Sequence, residues 1–472
     1  MRRAFVFDPN RCTGCGACEL ACSIENRLGT DRSWRSVLTF NERGAAGAPR
    51  FHLSIACNHC KTAACMEACP ALAYERDRVS GAVLIRQELC IGCRYCSWAC
   101  PYGAPRFEPE HGVMGKCTFC EHRIAEGQKP ACAALCPTGA LDYAELPESE
   151  LSAEIEGVPR TGLDPSIRIL PLSGRSLAAD SGAENRASSG GSRGQAHPAS
   201  FKRRALEQAA SHEPRIDLRG EWSLAAFTLL LAVLFALLAA DVSGARQVSA
   251  ALFAGVAALA AALSLAHLGR PGRAWRAVLG VRRSPVSREV LGFGSLAALG
   301  TAALAWPDPA VGAGLGWAAI AAGVFALVSA DGVYRPVYKR GHPLFHSGGV
   351  TLTGFYLAGL AGGVPWLAGG AGLLKLVGFL RREGPAALGG PAGISRVGLG
   401  LLLPAAAWAT VGTPLPVWSL ILATVGESVD RAGFYTELEI ESPARQIRRD
   451  LAARLARRAA PPAGWPEEVS PS

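Results

Sequence analysis

The chain has no cysteine after Cys136 and no long apolar run before Trp222, so its 472 residues fall into two parts of different composition. Charged residues are scarce at 18% against 49% hydrophobic, with a mean hydropathy of +0.19, which excludes a single soluble domain. Also missing are a Gly-rich dinucleotide fingerprint after a strand and a P-loop, so no nucleotide chemistry is expected. Met1-Arg2-Arg3 leads into a short strand-like run, Ala4 to Asp8, so a signal peptide is not expected either. The net charge of +9 has no counterpart in the first part: residues 1–150 hold 17 Lys and Arg against 17 Asp and Glu, whereas 151–472 hold 31 against 22. A nucleic-acid binder would carry its basic excess on a folded recognition domain. Here the excess sits in a linker and in loops between apolar segments, which excludes nucleic acid as a partner and suits a membrane protein.

What is present is sixteen cysteines in four groups of four: Cys12, Cys15, Cys18 and Cys22; Cys57, Cys60, Cys65 and Cys69; Cys90, Cys93, Cys96 and Cys100; Cys117, Cys120, Cys132 and Cys136. Every group ends in Cys-x3-Cys, and three of the final cysteines precede Pro70, Pro101 and Pro137. Such clustering suits metal ligation rather than disulfides. It is the bacterial ferredoxin signature, in which three thiolates of one loop hold a cubane and the fourth is carried to a different cluster. Four [4Fe–4S] clusters are expected, held by Cys12, Cys15, Cys18 and Cys136; by Cys22, Cys117, Cys120 and Cys132; by Cys57, Cys60, Cys65 and Cys100; and by Cys69, Cys90, Cys93 and Cys96. The competing reading is a membrane-tethered scaffold of four zinc tetrahedra. Lys61, Arg94 and Lys116 flank ligands and are candidates for raising cluster potentials or for simple surface charges, and Trp98 is read as packing.

The four-group pattern, with Cys-Thr-Gly-Cys-Gly-Ala-Cys at 12–18 and Cys-Ile-Gly-Cys-Arg-Tyr-Cys at 90–96, resembles the electron-transfer subunit of the dimethyl sulfoxide reductase family of molybdenum oxidoreductases over about residues 1–170. Some members replace one cysteine by tryptophan and carry a three-iron cluster. None is missing here, so four cubanes remain the expectation.

Residues from Leu172 to about Gly220 are rich in Ser, Gly, Arg and Ala and read as a flexible tether with basic residues Lys202, Arg203, Arg204, Arg215 and Arg219. A deletion within 187–200 is expected to be tolerated. Eight apolar segments then approach the roughly 20 residues that a crossing helix needs, near 222–240, 248–268, 288–306, 311–330, 346–364, 365–381, 396–412 and 414–430. The loops alternate in charge: 269–288 carries Arg270, Arg273, Arg276, Arg282, Arg283 and Arg288, while 307–310 carries no Lys or Arg. By the positive-inside rule the cluster domain and the C-terminus lie in the cytoplasm of a multi-pass plasma-membrane protein, unless a partner exports the cluster domain.

His267-Leu-Gly-Arg-Pro271, Ser287-Arg288-Glu289, Gly426-Glu427 and Arg431-Ala-Gly-Phe-Tyr435 make roughly 220–440 similar to the membrane-anchor subunit of dimethyl sulfoxide reductase, a quinol-binding protein without haem. The resemblance implies a fusion of the two subunits. No haem is expected, because His267, His342 and His346 find no axial partner at matching depth. His267 and Glu289 are the candidate proton acceptors for menaquinol or another quinol, with Arg288, Asp331, Tyr334 and Arg335 as further quinol-binding candidates. Lys375 in the sixth segment is either buried and functional or a sign that the segment does not span.

The expected fold is an α+β ferredoxin-like tetracluster domain (1–171), a basic linker (172–220), an all-α polytopic bundle of about eight helices (221–440) and a basic cytoplasmic tail (441–472). The expected role is electron transfer from the membrane quinol pool through four clusters to a molybdopterin catalytic subunit. The alternative runs the same path in reverse, reducing quinone with electrons from a formate-, hydrogen- or sulfur-compound-oxidising subunit.

Overall fold

The computed structural model describes residues 1–29, 32–173, 216, 218–411 and 415–459; most of the linker expected over 172–220 lies outside them, as does the end of the tail. Strand β1 (Arg2–Phe7) pairs antiparallel with β8 (Leu141–Leu146) and parallel with β9 (Ile167–Ile169). Three hairpins complete the strand structure: β2 (Ser36–Phe40) with β3 (Phe51–Ile55), β4 (Tyr74–Arg76) with β5 (Val83–Ile85), and β6 (Arg106–Glu108) with β7 (Val113–Gly115). Short helices α1 (Ala17–Glu25), α2 (Ala64–Ala68), α3 (Tyr95–Ala99), α4 (Glu121–Ala125) and α5 (Ala131–Ala134) lie among the cysteines.

The pairing explains why distant groups meet. Phe7 faces Leu141 across the β1–β8 ladder, so the segment entering Cys12 and the segment leaving Cys136 start side by side. Tyr74 faces Ile85 across β4–β5, which returns the backbone after Cys69 to the loop of Cys90.

Each of the eight apolar segments contains a helix: α6 (Trp222–Val242), α7 (Ala250–Ala266), α8 (Pro285–Ala305), α9 (Pro309–Val333), α10 (Val350–Ala361), α11 (Pro365–Glu383), α12 (Ile394–Val411, π-wound over Ile394–Leu402) and α13 (Val417–Thr436). Their starts follow helix-end chemistry. Ser249 Oγ accepts from Leu252 N, Asp308 accepts from Ala310 N and Val311 N, and Pro285, Pro309 and Pro365 open their helices. Among the described residues three helices, α6, α9 and α12, are long and apolar enough to cross a membrane, or four if α7 and the 3-10 turn Pro271–Val278, bent by 105°, count as one. The others fall short for physical reasons. At 12 residues α10 is only about 18 Å long, and α8, α11 and α13 carry ionisable residues, of which Lys375 of α11 pairs with Glu427 and Asp430 of α13.

Two features depart from the sequence reading. Over Pro443–Ala459 the expected tail is a helix, α14, that lies on the cysteine half. There Ile447 joins the apolar core with Val158 and Ile167, Asp450 accepts from Gly157 N at 2.8 Å, and Arg454 pairs with Glu156 at 2.5 Å. The arginines of 269–288 are also more than a topological signal, because Arg270, Arg273 and Arg276 donate to the carbonyls of His111, Gln87 and Cys90, and Ala71.

Candidate cluster path and its membrane-side seat

In each cysteine group the residue before the second cysteine has a left-handed backbone: Gly14 (φ 71°), His59 (φ 43°), Gly92 (φ 72°) and Phe119 (φ 65°). The turn folds the loop so that backbone amides face sulfur, as Gly92 N does toward Cys90 Sγ and Phe119 N toward Cys117 Sγ, both at 3.4 Å. Glycine takes this conformation freely. Where it is absent, His59 and Phe119 stack at 4.6 Å, and this buried contact offsets the strain.

The loops bring together the four expected sets. Cys12, Cys15, Cys18 and Cys136 line one small cavity, and Cys22, Cys117, Cys120 and Cys132 line another. In the other two sets burial pushes the thiols of Cys60, Cys65, Cys93 and Cys96 up, and their neighbours' negative charge adds to this. Cys57 and Cys100 act on Cys60 and Cys65, Cys69 and Cys90 on Cys93, and Cys93 and Cys69 on Cys96. Thiols so destabilised as thiolates need compensating metal charge to ionise together.

The sets follow one another in a line. Cys18 of the first lies within electrostatic reach of Cys132 of the second, Cys57 of the third acts on Cys117 of the second, and Cys65 of the third acts on Cys96 of the fourth. Two buried cations sit between sets. Arg35 lies beside Cys132, Cys18 and Cys117. Lys116 donates to Cys117 O at 2.9 Å and to Val83 O and approaches Cys57 Sγ at 3.6 Å. Burial opposes the charge of each, but the surrounding thiolates raise both above their ordinary values. Of the other flanking cations, Lys61 makes an exposed pair with Glu148, and Arg94 covers the Phe107 ring. Arg35 stands apart from every cysteine in sequence and gave no signal there.

The fourth set sits on the helical half. Gly269 N and Arg270 N donate to Gly92 O and Ile91 O at 3.4 and 3.1 Å, Gly280 N to Pro70 O at 2.9 Å, and Ser284 Oγ to Ala68 O at 2.7 Å. Glycine is required at this junction, because a Cβ on Gly92 would lie 2.8 Å from Gly269 Cα. The His267-to-Pro271 motif therefore docks the loop of Cys90 and Cys93.

Around this junction the remaining candidates separate. His267 faces Arg94, and its buried Nδ1 has no hydrogen-bond partner. Glu289 is buried, with Arg431 and Asp331 as its charged neighbours and Tyr95 nearby. Tyr334 is buried, bonded through its hydroxyl to that of Tyr435 at 2.6 Å, covered by Arg431 at 4.7 Å and packed on Trp98 at 6.0 Å. Asp331, beside Glu289 and Arg431, accepts from Val350 N and Thr351 N at the start of α10. Arg288 is bound to the carbonyls of Val281, Arg282 and Arg283, and Arg335 is exposed.

Lys375 is buried and pairs with Glu427 at 2.7 Å and Asp430 at 3.6 Å. Thr353, Ser347 and Arg382 continue this network to Glu437 and His346. Its members are far apart in sequence, so only the Lys375 anomaly is visible there.

Residues 50–146 match a family described as a 4Fe-4S dicluster domain, and residues 5–24 a 4Fe-4S binding domain. The protein is 38% identical over 190 residues to the B subunit of the anaerobic dimethyl sulfoxide reductase of Haemophilus influenzae, covering 92% of that subunit and 37% of this sequence. It is 41% identical over 163 residues to the formate dehydrogenase iron-sulfur subunit of Wolinella succinogenes (80% of that protein, 30% of this one) and 40% identical over 149 residues to the thiosulfate reductase electron transfer subunit of Salmonella typhi (77% and 31%). The chain thus belongs to the family of dimethyl sulfoxide reductase-type iron–sulfur electron-transfer subunits, with a helical region following its ferredoxin-like half.

Proposed function

We propose that the chain is the electron-transfer and membrane-anchor subunit of a respiratory molybdopterin oxidoreductase complex, taking electrons from membrane quinol and delivering them to a separate catalytic subunit. In this reading residues 1–171 are the cluster domain, 172–220 the linker and 221–440 the anchor, with the cluster half in the cytoplasm by the positive-inside rule. The sixteen cysteines hold the clusters in the four sets brought together by the loops. When bound, the four cubanes carry electrons one at a time.

The observation that carries the reading is an open, shallow apolar groove between α7 and α8, lined by Ala254, Ala257, Ala258, Ala261, Phe293 and Ala298 among others. It runs between the two helices whose cluster-side ends carry His267 and Glu289, and its shape and polarity suit an isoprenoid tail. A quinol seated there presents its hydroxyls to His267 and Glu289, which accept the protons, beside the loop of Cys90 and Cys93. His346 is unsuited to haem ligation, since its Nε2 faces Glu437 and its Nδ1 accepts from Gly348 N. At the other end of the path Cys15 is exposed, and Leu20, Ile24 and Leu135 are 56%, 69% and 60% exposed around it. That apolar patch fits the catalytic subunit.

Filling the groove by Ala298→Phe tests the quinol half. Anaerobic stopped-flow should show weakened reduction by a menaquinol analogue with dithionite reduction unchanged. Unaltered quinol kinetics would remove the groove from the site.

A further inference from the structure

Arg35 is 2% exposed, yet among the described residues no carboxylate lies within ion-pairing distance of it. Its Nη1 donates to Ser54 O and Ser54 Oγ, both at 3.2 Å, and its carbon end lies over the Phe5 ring at 4.4 Å. Nε and Nη2 are buried without a partner, and the residue lines the cavity of Cys22, Cys117, Cys120 and Cys132. A guanidinium does not lose its charge in proteins, and an uncompensated buried ion costs several kcal/mol. The groups around it that can carry negative charge are the sulfurs of Cys132, Cys18 and Cys117, two from the second set and one from the first. Ser54 extends the arrangement, its Oγ lying 3.3 Å from Cys18 Sγ.

We propose that Arg35 is a potential-setting residue, its fixed charge raising the reduction potential of the second cluster and, through Ser54 and Cys18, to a lesser degree the first. The inference rests on the cluster reading above. Reduction adds one negative charge to a cubane, and a cation held against its sulfurs favours the reduced form. Arg35 lines the second cavity, and Cys132 of that set leads its thiol neighbours, so the larger effect falls there. Lys116 differs, because two carbonyls already accept from its ammonium group. Arg35 thereby keeps the outer half of the path from becoming an uphill step for electrons arriving from the third set.

The test is an anaerobic redox titration of the full chain, followed by electron paramagnetic resonance, in wild type, Arg35→Gln and Arg35→Lys. Single-cysteine variants assign the signals. With four cubanes assembled, Arg35→Gln should shift the reduction equilibrium of the second cluster at least tenfold toward the oxidised form, ~59 mV for one electron. The first cluster should shift less and the third and fourth not at all. Arg35→Lys, which keeps the charge, should stay near wild type. Unmoved midpoints in an assembled Arg35→Gln protein would overturn the proposal. If that variant does not assemble, Arg35→Lys decides: a wild-type second midpoint supports the charge, and a Gln-sized fall overturns it. A wild-type chain without [4Fe–4S] signals would instead overturn the underlying cluster reading.

Discussion

Both halves of the molecule bury cations, but the Lys375 network and the cations among the cysteines are balanced in opposite ways. Between α11 and α13 the buried Lys375 is answered by Glu427 and Asp430, and the half-buried Arg382 by Glu437, so the charge of this network is closed within the protein, whereas Arg431 rests on aromatic rings, Thr228 and Gly348. In the cysteine half Arg35 and Lys116 face thiols, among which burial disfavours ionisation of Cys18, Cys65 and Cys117. The first arrangement is complete as folded and fixes how the helices pack. The second is complete only with metal, and there the buried cation bears on electron transfer.

The comparison breaks most visibly at a ligand. Cys136→Ser should abolish or convert the cluster of Cys12, Cys15 and Cys18, far away in sequence, and leave the other three. Damage confined to the cluster of Cys117, Cys120 and Cys132 would refute the exchanged pairing; spin quantitation decides. Next in size, Lys375→Met strands two buried carboxylates and should destabilise the helical half by about 3–5 kcal/mol. Thermal unfolding in detergent should reveal this while cluster signals stay intact, and an unchanged melt would show that the network is not structural.

His267→Ala should slow reduction by a menaquinol analogue about a hundredfold with all four clusters assembled, and wild-type stopped-flow rates would remove it from the site. The smallest effect is a surface one. The hydrogen bond from His122 and the charge of Arg123 hold Glu25 below the ordinary carboxylate range. Its contribution is therefore full above that range and lost as pH falls through the lowered value. Glu25→Gln should flatten that part of the acid-unfolding curve by less than about 1 kcal/mol, as for a solvent-screened pair. An unaltered curve would show that the staple between α1 and α4 contributes nothing.

The cysteine half is legible in the sequence because its chemistry is local. Three members of each set share one loop, and the strands flanking those loops pair short segments next to the fourth. The helical half is legible as a series of apolar segments, but not in its chemistry. Lys375 and Glu427 meet only because α11 packs beside α13, and hydrophobic periodicity does not report helix neighbours. Asp331 also accepts from the first amides of α10, a contact the sequence does not signal, because the 12 residues of that helix cannot be distinguished in sequence from a longer apolar run. The arginines of 270–276, read in the sequence as a topological signal, bind backbone carbonyls of the cysteine half, a role that selects the same side chain. Arg35 is invisible because a buried arginine without a carboxylate has no sequence signature.

The central claim is a continuous path from a membrane quinol to an exposed outer cysteine set. Anaerobic electron paramagnetic resonance of the purified full chain, reduced in parallel by dithionite and by a menaquinol analogue, tests it most directly. The account predicts mutually interacting [4Fe–4S] signals in both samples. Signals with dithionite alone would contradict entry of electrons at the His267 junction, and a sample that binds zinc and gives no signal would contradict the path itself.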